Sequence, residues 1–178
     1  MPCVDRLVIS IADQQLYTFK QQQLIGRYPV STALNGAGEQ NGSGCTPRGE
    51  HYVRACIGAG LPQGAVLRGR RWTQEVWSPQ LHAEHPERDW ILSRILWLSG
   101  CELGTNRLGN VDTFRRYIYI HGTPDCEPMG EPRSHGCVRM RNADLVSLFD
   151  HVKAGCPVTI SEAAYPQWAA AELKREEV

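Results

Sequence analysis

Lysine is almost missing from this chain: Lys20, Lys153 and Lys174 are the only three among 19 basic residues. A surplus of either sign is missing too, since 19 acidic residues bring the formal net charge to zero. Without net charge there is no global attraction for nucleic acid or an acidic membrane surface, so neither is expected as a partner. No uncharged apolar run reaches membrane-spanning length; the most apolar stretch, WILSRILWL, is broken by Ser93 and Arg94. The early apolar run, Leu7 to Ala12, is short and bracketed by Asp5 and Asp13, whereas a secretory signal has a longer uncharged core behind a basic start. The cytoplasm is therefore the expected location, with the periplasm as the alternative for a chain whose native signal has been removed. No Cys-x-x-Cys pair occurs, and the seven cysteines are odd in number and irregular in spacing. That excludes a disulfide framework or zinc ribbon and fits a reducing compartment. No repeat or low-complexity segment is found.

What is present is ordinary in amount: 178 residues with 42% hydrophobic and 21% charged content. This suffices for one domain, 1–178, with a proper core. The patterning reads mainly as β. RLVISIADQQLYTF alternates apolar and polar residues around an Asp-Gln-Gln turn, predicting a hairpin. LIGRYPVST follows as a third strand, with Pro29 marking an edge position. Residues 35–49 form a long loop rich in Gly and Asn, EHYVRACIG is another strand, and 60–90 show no clean period. DWILSRILWLSG leans towards strand on its β-branched and aromatic content. RRYIYIHGT predicts a strand through Tyr117 to Ile120, delivering His121 at its end. A helix starts at Asn142, with Leu145, Leu148, Phe149 and Val152 at helical spacing, Lys153 in the last turn and Gly155 after it. CPVTI returns as a strand, and the tail from Pro166 reads as a short helix. Trp72, Trp77, Trp90 and Trp97 are expected in the core, with the wall of a pocket as the other reading.

One stretch, GEPRSHGCVRMRNADL at 130–145, sets a cysteine among charged residues. As a nucleophile, Cys137 needs a base or an electropositive setting, and histidine suits the base. His135 is two residues away, roughly 7 Å in an extended chain, too far for a hydrogen bond. His121, delivered by another strand, is the preferred base. Gly136 lets the backbone turn sharply, and the amides of Gly136 and Cys137 are candidates for an oxyanion hole. Two other readings stay open: a zinc site made of His121, Cys126, His135 and Cys137, although a His-x-Cys pair matches zinc spacing poorly, and an inert buried thiol. For the other six cysteines the inert buried thiol is the expectation.

These residues resemble the signature of the L,D-transpeptidase catalytic domain, or YkuD, family. The matching positions are His121, Gly122 and Thr123, then Ser134, His135, Gly136, Cys137, Val138, Arg139 and Asn142. TPRGEHYV, with Thr46, Pro47 and Gly49, and GCPVTI, with Cys156 where the family has Thr, extend the likeness over about residues 5–160. The resemblance implies a β-sandwich with a few short helices. It implies attack by Cys137 on a peptidoglycan stem peptide, at the bond from diaminopimelate to terminal D-Ala, giving a thioester. His121 would be the base, oriented by the Gly122 carbonyl. His135, Gly136 and Ser134 would line the site and oxyanion hole, and Arg139 would bind a substrate carboxylate or brace the loop. Asn142 belongs to the signature, while local chemistry favours a helix cap. No cofactor or metal is implied; a stem peptide or muropeptide is the implied partner, and carbapenem-type compounds are possible covalent inhibitors. Water as acceptor would make an L,D-carboxypeptidase, the expectation for a cytoplasmic enzyme of muropeptide recycling; an amine would give 3→3 crosslinks. A non-catalytic zinc-stabilised binding module is the remote alternative.

Overall fold

The computed structural model describes residues 3–165. The tail helix expected from Pro166 lies outside them. Ten strands and two helices follow in chain order: β1 (Arg6–Ser10), β2 (Gln15–Lys20), β3 (Gln23–Ser31), β4 (Gly49–Ile57), β5 (Ala65–Arg68), β6 (Arg71–Val76), α1 (Pro79–Glu84), β7 (Leu92–Gly100), β8 (Tyr119–Thr123), β9 (Val138–Arg141), α2 (Asn142–Phe149) and β10 (Pro157–Ser161). The sheet order is β4-β10-β1-β2-β3-β9-β8-β7-β5-β6, and a further β4–β7 pairing joins the strands into a ring. The result is a closed sheet flattened into a sandwich, with the β5–β6 hairpin attached outside it to β7. The mainly β reading is thus correct.

Alternation explains the core. Leu7 and Ile9 of β1, Leu16 of β2, Leu96 and Leu98 of β7, Ile120 of β8 and Ile160 of β10 are buried in one cluster, which α2 joins through Leu145, Leu148 and Phe149. The first hairpin forms where predicted, with Gln14 in the left-handed region at φ 51. β3 pairs with β9 only at Val30 and Ser31, so Pro29 does lie on an otherwise open edge. DWILSRILWLSG yields β7, nine residues long.

Several expectations change. Tyr117 does not belong to the strand; it turns at φ 58 and is 53% exposed, and β8 starts at Tyr119. Four strand formers in a row favour a strand, but the Phe114–Tyr117 turn, closed by Tyr117 N–H to Phe114 O, overrides them. Helix α2 stops at Phe149 rather than near Lys153, because the chain turns at Asp150; Val152 is buried all the same. Of the six other cysteines only Cys156 is buried; Cys3, Cys101 and Cys126 are exposed, and Cys45 and Cys56 half-buried. Trp90 is in the core at 4% exposure, Trp72 is 40% exposed, and Trp77 and Trp97 are partly covered. The stretch 60–90, patternless in sequence, holds the β5–β6 hairpin and α1, whose N-cap Ser78 accepts from the Leu81 amide.

Candidate active site

The site lies where β8 and β9 run side by side. They are parallel, with Ile120 opposite Val138 and His121 opposite Arg139. Strand alternation therefore sets His121, Tyr119 and Arg139 on one face, and Cys137, two residues before Arg139, at the same face's end. Cys137 packs against the cluster of Leu67, Ile95 and Tyr119, and Ile95 is the β7 partner of His121.

The turn that presents the thiol is built by its own sequence. Gly136 adopts φ +131, and a Cβ there would lie 3.3 Å from both the Cys45 carbonyl oxygen and Ile118. Only glycine fits both the backbone and the space. Ser134, buried, donates its hydroxyl to the Cys137 carbonyl and accepts from the Gly136 amide at 3.2 Å. Thr46 Oγ1 donates to the Gly136 carbonyl at 3.0 Å, so the Thr-Pro segment of the long loop braces the turn. The Gly136 amide is thus occupied and differs from the predicted oxyanion donor. The amides of His135 and Cys137 have no hydrogen-bond partner among the described residues, leaving a donor on either side of Gly136.

The thiol accepts from the Tyr119 amide at 3.3 Å and donates to the Tyr117 carbonyl at 3.4 Å. Among the described residues it makes no hydrogen bond to His121. Burial pushes its pKa up to about 12; the Tyr119 amide pulls the other way, Asp89 adds to the rise, and Arg139 and Arg116 oppose it. Cys137 is therefore a thiol at rest. His121 is fully enclosed. Its Nδ1 lies 2.8 Å from the Gly122 carbonyl, which only accepts, so Nδ1 carries the proton and Nε2 keeps its lone pair. Burial lowers its pKa below 6.5, against the Gly122 contact and Asp89, so the ring is neutral at pH 7. A neutral imidazole with a fixed tautomer and a protonated thiol are the ground states of a base and its nucleophile.

The remaining predicted residues are distributed around this pair. His135 points outward, its side chain 78% exposed, with Nδ1 3.7 Å from Asp89 Oδ2. Arg139 is buried and donates to Asp89 Oδ1 at 2.7 Å, with Glu127 at 3.9 Å. Its charge is already engaged, which favours the bracing role over direct contact with substrate. Gly122 has no room for a side chain: a Cβ would meet the Leu92 carbonyl oxygen at 2.6 Å and the Asn142 amide. Asn142 is not a cap. Arg141 occupies the N-cap position without a side-chain bond, while buried Asn142 donates Nδ2 to Thr123 O at 2.7 Å and accepts from Ser93 Oγ at 2.6 Å. Helix start and signature residue coincide because one amide bridges β7, β8 and α2. His121, Cys126, His135 and Cys137 are not gathered into a metal-holding group among the described residues.

Three contributors escape a sequence reading. Asp89 links Arg139 to His135 and acts on both His121 and Cys137. Arg116 donates to the carbonyls of Gly38, Glu39 and Cys45 at 3.0, 2.8 and 2.6 Å, pinning the 35–49 loop beside the turn. Tyr119 supplies the amide facing the sulfur. Beside the site, a cleft of about 480 Å³ opens between the β5–β6 hairpin and the segment 85–91, lined by Leu67, Glu75, Arg88, Asp89 and Trp90 among others. Leu67 and Asp89 connect it to the thiol face.

A model of the L,D-transpeptidase catalytic domain (YkuD) matches residues 4–160. The chain belongs to that family. Among curated protein sequences none matches it significantly. Solved structures share the fold. Bd1075 of Bdellovibrio bacteriovorus aligns at TM-score 0.55 and 17% identity, over 97% of this chain and 55% of that one. L,D-transpeptidase 3 from Mycobacterium tuberculosis aligns at 0.54 and 16%, over 89% and 61%. The same enzyme with a faropenem-derived adduct aligns at 0.52 and 17%, over 90% and 61%. The present chain spans 55% to 61% of these relatives' length.

Proposed function

We propose that the protein is a cysteine acyl-transfer enzyme that cleaves the bond between diaminopimelate and terminal D-Ala in peptidoglycan stem tetrapeptides, passing the acyl group to water. The observation that carries this is the pairing on one face of a protonated Cys137 thiol with a neutral His121 whose Nδ1 is held by Gly122. Rotation of the thiol away from the Tyr117 carbonyl directs its proton to His121 Nε2. Sulfur then attacks the scissile carbonyl carbon, and the free amides of His135 and Cys137 receive the oxyanion. Collapse breaks the C–N bond, Nε2 returns the proton to the departing D-Ala amine, and a thioester remains on Sγ. Water attacks the thioester and loses a proton to Nε2; the sulfur leaves and is reprotonated from Nε2. Asp89, Arg139 and Arg116 set the field around the pair without joining the bond changes.

The choice of water, and of a cytoplasmic setting that supplies muropeptides, is supported by seven free cysteines, three of them exposed, a pattern that persists where disulfides are not formed. The test is mass spectrometry of products from a tetrapeptide muropeptide. Tripeptide plus free D-Ala is expected; a crosslinked dimer as the main product would replace hydrolysis by transpeptidation. Cys137→Ala should abolish both products. The faropenem-derived adduct on the tuberculosis relative supports a second readout: a covalent mass increment on Cys137 after incubation with a penem or carbapenem.

A further inference from the structure

We infer that the tip of the β5–β6 hairpin is a carboxylate-binding site beside the nucleophile, with Arg70 as its anchor. This rests on the functional reading above and names how that site holds its acidic peptide. Gly69 and Arg70, at φ 55 and 66, form a two-residue turn closing the Arg68–Arg71 pair. The turn folds the Arg70 side chain back onto the site. Its guanidinium carbon lies 4.7 Å from the Trp97 ring centre and 5.0 Å from that of Tyr117, and Nη1 donates to the Tyr119 hydroxyl at 3.1 Å.

The other two arginines near the thiol are occupied. Arg139 holds Asp89, and Arg116 is spent on loop carbonyls. Arg70 has no acidic partner among the described residues, and neither do Arg68 or Arg71 on the same turn. A guanidinium laid on aromatic faces keeps its donor edge in one plane, ready for a bidentate carboxylate, with little rotamer entropy left to lose. The platform is continuous with the reacting sulfur, since the Tyr117 carbonyl accepts from the thiol and the Tyr119 amide donates to it. Tyr117 is 53% exposed, so the platform is open. A stem tetrapeptide carries three carboxylates, and an uncompensated arginine turn beside the thiol complements one of them.

Calorimetric binding of L-Ala-γ-D-Glu-meso-diaminopimelate-D-Ala to the Cys137→Ala protein tests this, with Arg70 intact, with Arg70→Gln and with Arg70→Lys. Three peptides, each with one carboxylate converted to carboxamide, are titrated alongside. Arg70→Gln should raise the Kd roughly 10-fold or more, with Lys intermediate because it keeps charge but loses the planar fork. One carboxamide should bind the Arg70 protein as weakly as the parent peptide binds Arg70→Gln, and lose nothing further from that substitution. Equal binding of the tetrapeptide by both proteins, no measurable binding by the Arg70 protein, or the same loss for all four peptides would each overturn the anchor. The carboxamide series on unsubstituted Arg70 keeps the test decisive if Arg70→Gln folds poorly. Release of D-Ala by protein with Cys137 intact separates the two ideas. The expected binding pattern without D-Ala release sinks the enzyme reading and leaves the anchor; D-Ala release that Arg70→Gln leaves unchanged, with unchanged binding, sinks the anchor alone.

Discussion

In the proposed reaction Cys137 is a nucleophile kept protonated, and its reactivity depends on His121 taking the proton at the moment of attack. Two pH profiles follow. A small alkylating agent such as iodoacetamide needs thiolate and is too simple to recruit the site. Alkylation of the Cys137 peptide, followed by mass spectrometry, should lag behind that of exposed Cys126 at pH 7.5 and climb towards pH 11 without a plateau, given a pKa pushed up to about 12. The kcat/KM for turnover should instead hold steady as pH falls through 6.5, because burial depresses the His121 pKa and keeps the imidazole neutral to lower pH. A plateau of alkylation below pH 9 would show a preformed thiolate instead. Cys137, His121 and Gly122 are readable from sequence because short motifs carry them. Asp89 and Arg116 are not: Asp89 reaches Arg139 across 50 residues and Arg116 reaches Cys45 across 71, and no local spacing encodes either contact.

At the level of elements, Asn142 shows how a correct boundary can hide a different cause. Asn at the start of an apolar-periodic run reads as a cap, and α2 does begin there. Its amide, however, faces inward and joins Ser93 of β7 to Thr123 of β8. A cap tolerates Asn→Asp. Here Asn142→Asp turns the donor to the Thr123 carbonyl into a buried negative oxygen, so it should destabilise at least as much as Asn142→Ala, itself costing about 2 kcal/mol from two buried hydrogen bonds. Urea unfolding midpoints check the order, and an Asp variant as stable as the parent would restore the cap. Strands β1, β2, β4, β7 and β10 are legible from alternation and residue type. The β5–β6 hairpin is not, since β6 is mostly exposed and has no buried face to set a period.

Across the whole molecule, stability should depend on pH through a buried histidine outside the His121–Cys137 pair. His51 of β4 is buried, with Nδ1 2.9 Å from the Gly49 carbonyl and Nε2 3.1 Å from the Thr113 hydroxyl. Burial lowers its pKa to about 4 from 6.5. Between those values the unfolded chain binds a proton that the folded chain refuses, so stability is whole above pH 6.5 and drains away as pH falls to about 4. The loss is on the order of 3 kcal/mol. Thermal unfolding at pH 7, 5.5 and 4.5 should show it, and a His51→Gln variant should start less stable with a shallower slope; an equal slope would place the effect elsewhere. Carboxylates with lowered pKa values, Asp13, Glu39 and Asp112, act further down, below about pH 4.

The sheet closes through β10, which lies between β1, its parallel partner, and β4, its antiparallel one. These contacts join residues some 150 and some 110 positions apart. During synthesis, β1 and β4 leave the ribosome long before the strand that covers both. Until residue 161 is free, the nascent protein carries two bare strand edges, the kind of template on which neighbouring chains pair. A message cut short before β10, the last strand among the described residues, should therefore yield an aggregating product rather than a weakened but folded one.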